Sequence, residues 1–168
     1  MDEQGTADGA VVVGVDGSPS SRAALDHALR EARRRGARVR VVAVARLPEC
    51  WAGVYGLGGL PTPREVAEGL RASVTEEVAA AVAAAPDLGS VPVTIETFSG
   101  APGPALVEAA EGADLLVLGH RGRGAVRSSV MGSVGLHCVL HATCPVTIVR
   151  VPATAPADEP ALVAGVTA

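Results

Sequence analysis

The stretch that decides the fold is Leu115-Leu116-Val117-Leu118-Gly119-His120-Arg121-Gly122, followed after nine residues by Gly132-Ser133. The apolar run predicts a strand covered on both faces, and the glycines predict a loop that leads into a helix. Backbone N–H groups in such a loop, with the partial positive charge of a helix N-terminus, commonly bind phosphate. Residues 115–157 contain four arginines and no Asp or Glu, in a chain of net charge −4. We therefore expect an anion to bind here.

The composition predicts a single cytoplasmic domain with an aliphatic core. The chain has 168 residues, 48% of them hydrophobic and 2% aromatic. A chain of this length can bury about two-thirds of its unfolded surface. Its three cysteines form no CxxC pair, and neither a secretory leader nor a membrane-spanning run is visible. We expect loose tails at 1–9 and 152–168 around a domain of residues 10–151.

The absence of lysine excludes several classes of protein. All 14 basic residues are arginine. A Walker-type phosphate loop needs its lysine, and a Schiff-base enzyme needs an amine, so neither fits this chain. The mild acidity and the scarcity of aromatic residues also argue against a nucleic-acid partner.

Strands alternate with helices along the chain. Strands are predicted at 11–15, 38–44, 91–98, 114–119 and 145–151, and helices at 19–35, 63–85, 104–111 and 132–141. The helix boundaries follow from Ser18 as N-cap, a capping box at Thr62 and Glu65, and Gly36 as C-cap. This alternation predicts a parallel sheet with helices on both faces. Residues 45–61 form a long connection that is either a lid or a surface insert.

Two motifs make residues 11–151 resemble the universal stress protein family: Val-Gly-Val-Asp-Gly-Ser at 13–18, and Gly119-x2-Gly122-x9-Gly132-Ser133. The resemblance implies an α/β fold of the adenine-nucleotide alpha-hydrolase type, with a five-stranded doubly wound parallel sheet in the order 3-2-1-4-5. It places the chain in the ATP-binding subgroup, with ATP in the crevice where the strand order reverses. It also implies a homodimer joined along strand five, from Val146 to Val151, which would cover an apolar sheet edge.

Carried over to this sequence, the resemblance implies a set of nucleotide-binding residues. They are Gly14, Asp16, Val44, Gly119, Arg121, Gly122, Arg123, Gly124, Gly132, Ser133 and Val134. Gly14 and Asp16 would lie by the base and ribose, Val44 against the adenine, and the others around the ribose and phosphates. Two structural alternatives stay open: Asp16 as an Asx turn, and the glycines as turn residues only. Gly135 stands where ATP-binding relatives often carry Ser or Thr, which leaves AMP and ADP as alternatives to ATP and leaves Mg²⁺ undecided.

The sequence predicts neither a metal centre nor an efficient enzyme. His137 and His141 share a helical face near Cys144, but no nearby carboxylate orients them, so we expect no metal site. No set of nucleophile, base and orienting group is visible, and Asp16 alone offers a carboxylate beside the loop. The predicted function is a nucleotide-dependent regulatory module in stress response, with at most slow ATP hydrolysis. The alternatives are a nucleotide-free dimeric interaction protein of the same fold and a slow ATPase.

Overall fold

The computed structural model describes residues 9–46, 61–122 and 131–151. Its strands are β1 Ala10–Val15, β2 Arg38–Ala45, β3 Val93–Ser99, β4 Leu115–Gly119 and β5 Val146–Val149. Its helices are α1 Pro19–Arg35, α2 Pro63–Ala84, α3 Pro102–Ala109 and α4 Ser133–His141, and a 3-10 turn spans Pro86–Leu88. The predicted tail at 152–168, nearly all of the N-terminal tail, and residues 47–60 of the long connection lie outside the described residues.

The five strands form one parallel sheet in the order β3-β2-β1-β4-β5, which confirms the predicted topology. β1 lies at the centre, where Val11 pairs with Val39 of β2 on one side and with Leu115 of β4 on the other. The chain moves outward from β1 in one direction first, and then in the other. The strand order therefore reverses between β1 and β4, and a crevice opens there at the carboxyl ends of the strands.

Alternate residues of the strands enter two separate cores. Val11, Val13 and Val15 of β1 face α1 and α2, together with Leu115 and Val117 of β4. The residues between them face α3 and α4 in a second core, which includes Val12, Leu116, Leu118, Leu106 and Cys138. Both faces of the central strands are thus covered, which explains their continuous apolar sequence. No helix in the described parts of the chain is both long and apolar enough to span a membrane.

The predicted caps of α1 and α2 are confirmed. The Ser18 hydroxyl accepts a hydrogen bond from the Ser21 amide at 3.1 Å, and Gly36 ends α1 with a left-handed φ of 64°. At the start of α2, Thr62 accepts from the Glu65 amide, and the Glu65 carboxylate accepts from the Thr62 amide in return. These local bonds satisfy donors that a helix leaves unpaired at its ends, which is why the sequence alone located them.

Several predicted boundaries were wrong by one or two residues. α3 begins at Pro102 and not at Pro104. Both prolines fit the first turn of a helix, because the amides of that turn need no partner within the helix, so the sequence did not distinguish them. β3 begins at Val93, after Pro92, whose missing N–H limits pairing at that point. β5 ends at Val149, so the last two predicted residues, Arg150 and Val151, are not in the strand.

An ion pair joins β2, β3 and α3. The Arg40 guanidinium donates to both carboxylate oxygens of Glu96, at 2.7 and 2.9 Å, and to the Ala109 carbonyl at 2.8 Å. The two side chains are 24% and 31% exposed, so water screens the pair only in part. The hydrogen bond from Arg40 lowers the pKa of Glu96 below its ordinary value, despite the opposing effect of burial. Bidentate geometry and partial burial make this pair stronger than an ordinary surface pair.

Glu96→Gln is expected to destabilise the fold by about 1 kcal/mol at neutral pH, because it removes the charged partner of Arg40. The pKa of Glu96 is lower in the folded chain than in the unfolded chain. The contribution is therefore complete above the unfolded value, about 4.3, and disappears as the pH falls through the folded value. Urea unfolding of both proteins at pH 7 and pH 3 measures the difference.

The matched control is Glu68→Gln, which makes the same change in an exposed pair with Arg64, whose side chain is 87% exposed. This variant should match the parent protein at both pH values. A difference between Glu96→Gln and the parent that stayed constant from pH 7 to pH 3 would contradict the role given to the charged pair.

Candidate functional site

A cavity of about 460 Å³ opens at the carboxyl ends of β1, β2 and β4. Its lining in the described residues consists of Gly14, Val15, Asp16, Ser21, Val42, Val44, Arg46, Leu70, Pro102, Leu106, Leu118, Gly119, Arg121, Gly122, Gly132, Ser133, Val134 and Gly135. Its volume lies within the range of small-molecule sites. Its position is the reversal point of the strand order, where ligands bind in open parallel sheets.

Hydrogen bonds to three other elements fix the start of the loop after β4. The His120 amide donates to the Val149 carbonyl of β5 at 2.9 Å, and the Gly132 amide donates to the His120 carbonyl at 3.0 Å. From the first turn of α1, Ser18 donates to the Arg121 carbonyl at 3.4 Å, and Ser20 is hydrogen-bonded to His120 Nδ1 at 3.2 Å. The backbone on both sides of residues 123–130 is thus held in place before any ligand arrives.

The N-terminus of α4 faces this cavity. Gly132 is its N-cap and has no side chain to cap the helix, and Ser133, Val134 and Gly135 form its first turn. The amides of a first turn have no partner within their own helix, and they carry the positive end of the helix dipole. Ser133 adds an exposed hydroxyl. This end of the cavity offers several donors to an anion.

Close backbone packing requires glycine at Gly119. A Cβ atom there would lie 2.7 Å from the carbonyl carbon and 2.8 Å from the carbonyl oxygen of Ser20. The first turn of α1 therefore rests directly on the end of β4. At Gly132, in contrast, the nearest atom to an added Cβ in the described part of the chain is the His120 carbonyl oxygen at 3.6 Å, an ordinary contact. The two motif glycines therefore serve different purposes.

Asp16 lies between the start of α1 and the loop after β4. Its Oδ1 accepts a hydrogen bond from the Ser18 amide at 3.0 Å, which forms the Asx turn that the sequence left as an alternative. Its Oδ2 lies 2.6 Å from the position that a Cβ of Gly122 would take. Gly122 therefore allows the loop to approach the carboxylate. Asp16 is the one carboxylate in the described lining, beside the cations Arg46 and Arg121.

Aliphatic side chains also line the cavity. Val42 and Val44 come from β2, Leu118 from β4, and Leu106 from α3. Gly14 lies beneath them, and a Cβ there would come within 2.7 Å of a Leu118 methyl and 2.9 Å of a Leu106 methyl. These side chains offer dispersion contacts to a flat apolar group, while the start of α4 offers hydrogen-bond donors.

The structure brings nine of the predicted residues to this one cavity: Gly14, Asp16, Val44, Gly119, Arg121, Gly122, Gly132, Ser133 and Val134. Arg123 and Gly124 lie outside the described residues. The sequence analysis did not assign the lining residues Val15, Ser21, Val42, Arg46, Leu70, Pro102, Leu106 and Leu118 to the site. The period of two in a strand gives a signal for Val42 and Arg46, because they flank Val44 on the same face.

Cys138 is fully buried and packs in the core between α3 and α4. Burial raises the pKa of its thiol to about 11. A thiol with this pKa stays protonated and unreactive at neutral pH, so the prediction of a small buried apolar residue is confirmed. Cys50 lies outside the described residues.

Comparison with known proteins identifies the family. The model of the universal stress protein family matches residues 9–150. Universal stress protein Rv1996 of Mycobacterium tuberculosis is 36% identical over 149 residues, which cover 83% of this chain and 47% of that protein. The chain spans about half the length of the curated relatives that it matches.

Solved structures share the fold. Hypothetical protein MJ0577 superposes with a TM-score of 0.67 at 19% identity, over 87% of this chain and 98% of that one. A universal stress protein in complex with cAMP gives 0.59 at 27% identity, over 86% and 98%. The protein from Archaeoglobus fulgidus in complex with dAMP gives 0.56 at 24% identity, over 86% and 99%.

The sheet order and the cavity at its reversal point define a doubly wound α/β protein with a crevice between β1 and β4. Within that class, the match over nearly the whole described region is decisive. The chain belongs to the universal stress protein family.

Proposed function

We propose that the crevice binds ATP and that the protein is a cytoplasmic, nucleotide-dependent regulatory module in stress response. The observation that carries the proposal is the polarity of the cavity. On the β4 side it presents the first-turn amides of α4 with Arg121, and on the β2 side it presents Val42 and Val44. An adenine nucleotide has the same polarity, with an anionic tail and a flat base.

Arginines supply the positive charge that lysine supplies in other phosphate sites. Arg121 is half-buried beside the loop, and Arg46 follows β2 at the mouth of the cavity. A guanidinium stays charged at any physiological pH and can contact two phosphate oxygens at once. We propose that Arg121 pairs with the phosphates and that Arg46 offers a second cation to a longer phosphate tail.

Gly135 affects how many phosphates the bound nucleotide is expected to have. This residue is buried in the first turn of α4 and lines the cavity without a hydroxyl. The affinities of the site for ATP, ADP and AMP then differ mainly because of the charge of each nucleotide, since the amides and arginines remain the donors. Two of the structural neighbours hold the monophosphates cAMP and dAMP, which supports an adenine nucleotide in general.

The proposal does not include efficient catalysis. Phosphoryl transfer needs acidic groups for Mg²⁺ and a residue that positions water. Asp16 is the one carboxylate in the described lining, and it already accepts a hydrogen bond from the Ser18 amide. We propose that bound nucleotide acts by ordering the loop around it, so that a partner protein binds the changed surface.

We further propose that two copies of the chain pair along β5. β5 lies at an edge of the sheet, and Leu136, Val139 and Leu140 of the adjacent α4 are 52%, 47% and 68% exposed. Unpaired strand edges beside exposed apolar residues favour association. Dimerisation would cover both features at once.

Thermal unfolding with and without ATP tests the nucleotide site. At a hundredfold excess over Kd, ATP should stabilise the fold by about 2.7 kcal/mol, which corresponds to a Tm increase of roughly 5–10 °C. GTP is the matched control, because it has the same phosphates but a base with different hydrogen-bonding groups. An equal increase in Tm with both nucleotides would show that the site recognises the phosphates and not the base. No increase in Tm with millimolar ATP would contradict the proposal.

Native mass spectrometry of freshly purified protein reports retained nucleotide and subunit number together. We expect a dimer that carries adenine nucleotide. A phosphate-release assay on the same sample should give at most slow turnover. A monomer without ligand would contradict both proposals, and rapid release of phosphate would favour the ATPase alternative.

A further inference from the structure

We propose that Arg71 of α2 blocks the outer edge of β3 against a second copy of the chain and so directs association to β5. The second part of this inference rests on the pairing along β5 proposed above. β3 and β5 form the two edges of the sheet. A strand at an edge presents backbone N–H and C=O groups with which another strand can pair. Two copies that met at the same edge would pair in antiparallel fashion about a two-fold axis.

The register shows which backbone groups of β3 face outward. At the two ends of the strand, the Val39 amide of β2 donates to the Pro92 carbonyl at 2.8 Å, and the Gly100 amide donates to the Ala45 carbonyl at 2.9 Å. Successive residues of a strand direct their backbone groups to alternate sides. The even-numbered residues of β3 therefore bond to β2. The odd-numbered residues of Val93–Ser99 direct their N–H and C=O groups to the outer edge.

The Arg71 guanidinium is bonded to one of these outward groups. It donates to the carbonyl of Ile95, an odd-numbered residue near the middle of β3, at 2.8 Å. Arg71 is exposed, so its charge stays hydrated while it covers the edge. A second strand that paired here would have to displace this hydrogen bond and remove water from the guanidinium, which is costly for a charged group. Charged side chains at sheet edges prevent association in this way.

The sequence of β3 favours self-association when its edge is open. Val93–Ser99 reads Val-Thr-Ile-Glu-Thr-Phe-Ser, in which five of seven residues are β-branched or aromatic and none is Pro or Gly. Its single charged residue, Glu96, is paired with Arg40 of the neighbouring strand β2. Segments of this length with high β-propensity and low net charge readily form strands between molecules. Arg71 thus reaches the edge whose sequence most requires protection.

Sedimentation velocity of Arg71→Met tests the proposal. Methionine keeps much of the aliphatic stem but removes the charge and the donor, and Arg71 is exposed, so the variant should fold normally. We expect particles with at least about twice as many chains as those of the parent, because one further edge is open. The matched control is Arg64→Met, on the same helix, where Arg64 pairs only with the exposed Glu68 in the described residues. This control should sediment as the parent does.

Hydrogen exchange locates the new contact. In Arg71→Met, the amides of residues 93–99 should exchange more slowly as the protein concentration rises, whereas in Arg71→Lys, which keeps a charged donor, they should behave as in the parent. Unchanged particle size in Arg71→Met, or association without added protection of residues 93–99, would overturn the role of Arg71. A monomeric parent would contradict only the pairing along β5, and Arg71→Met should then form dimers through β3.

Discussion

Gly132→Asp is expected to abolish ATP binding while leaving the fold as stable as before or slightly more stable. Gly132 is the N-cap of α4, with φ −70° and ψ 154°, a conformation that any residue adopts. Asp is among the best N-cap residues, and among the described residues the nearest atom to an added Cβ lies 3.6 Å away. Its carboxylate would accept from the first-turn amides that the phosphate needs and would repel the phosphate itself. Each lost charge-assisted hydrogen bond costs about 1.5–3 kcal/mol, so we expect affinity to fall by more than about a hundredfold.

Gly132→Asn separates the effect of the negative charge from the effect of a side chain that occupies the start of α4. Asn has nearly the same shape and also caps helices, but it is neutral. It should weaken ATP binding less than Asp does, and urea unfolding should give similar stability for both variants. Nucleotide titrations of the three proteins measure the difference. Normal ATP binding by Gly132→Asp would show that the start of α4 does not hold the phosphates.

Gly119→Ala is expected to destabilise the fold by about 2–3 kcal/mol and to weaken nucleotide binding as well. The new methyl group would lie 2.7–2.8 Å from backbone atoms of Ser20, which cannot rotate away as a side-chain end can. α1 would have to move off β4. Since Ser18 and Ser20 hold the loop after β4, that movement would also disturb the site. Urea unfolding and the Tm measure the loss, roughly 5–10 °C in Tm.

Gly69→Ala is the matched control. It makes the same chemical change within α2, where no atom of the described residues, apart from the backbone of the helix itself, lies within 4 Å of the added Cβ. Alanine favours a helix interior over glycine, so this variant should be more stable by about 0.5–1 kcal/mol. The two glycine-to-alanine changes should therefore have opposite signs. A Gly119→Ala protein as stable as the parent would contradict the close approach of α1 to β4.

The sequence predicted the fold well because its signals are local. Continuous apolar runs predicted the strands of a doubly covered sheet, and the caps at Ser18 and Thr62 predicted helix starts to the residue. Two of the boundaries that were wrong involve proline. Pro102 and Pro104 both fit a helical first turn, and only the packing of α3 against the sheet decides which one begins it.

The site was predictable as far as it follows the ends of strands. Gly14, Asp16, Val44 and Gly119 each lie at or beside a carboxyl end, and the topology brings these ends together. Leu70 and Leu106 come from α2 and α3, on opposite faces of the sheet, and no strand pattern gives their positions. The sequence also did not predict that Gly119 and Gly132 serve different purposes, because the spacing of glycines in a motif does not show which atoms surround each one.

The central position of β1 has a consequence for synthesis on the ribosome. β1 is translated first, yet its second neighbour, β4, begins at Leu115, and α4 follows only at Ser133. The crevice therefore cannot exist in a nascent chain until nearly the whole domain has emerged. Pairing over such long sequence separations is slow and leaves apolar strand surface uncovered meanwhile. A ligand of the proposed site can therefore stabilise only the completed domain, whereas the growing chain exposes apolar strand surface that is prone to aggregate.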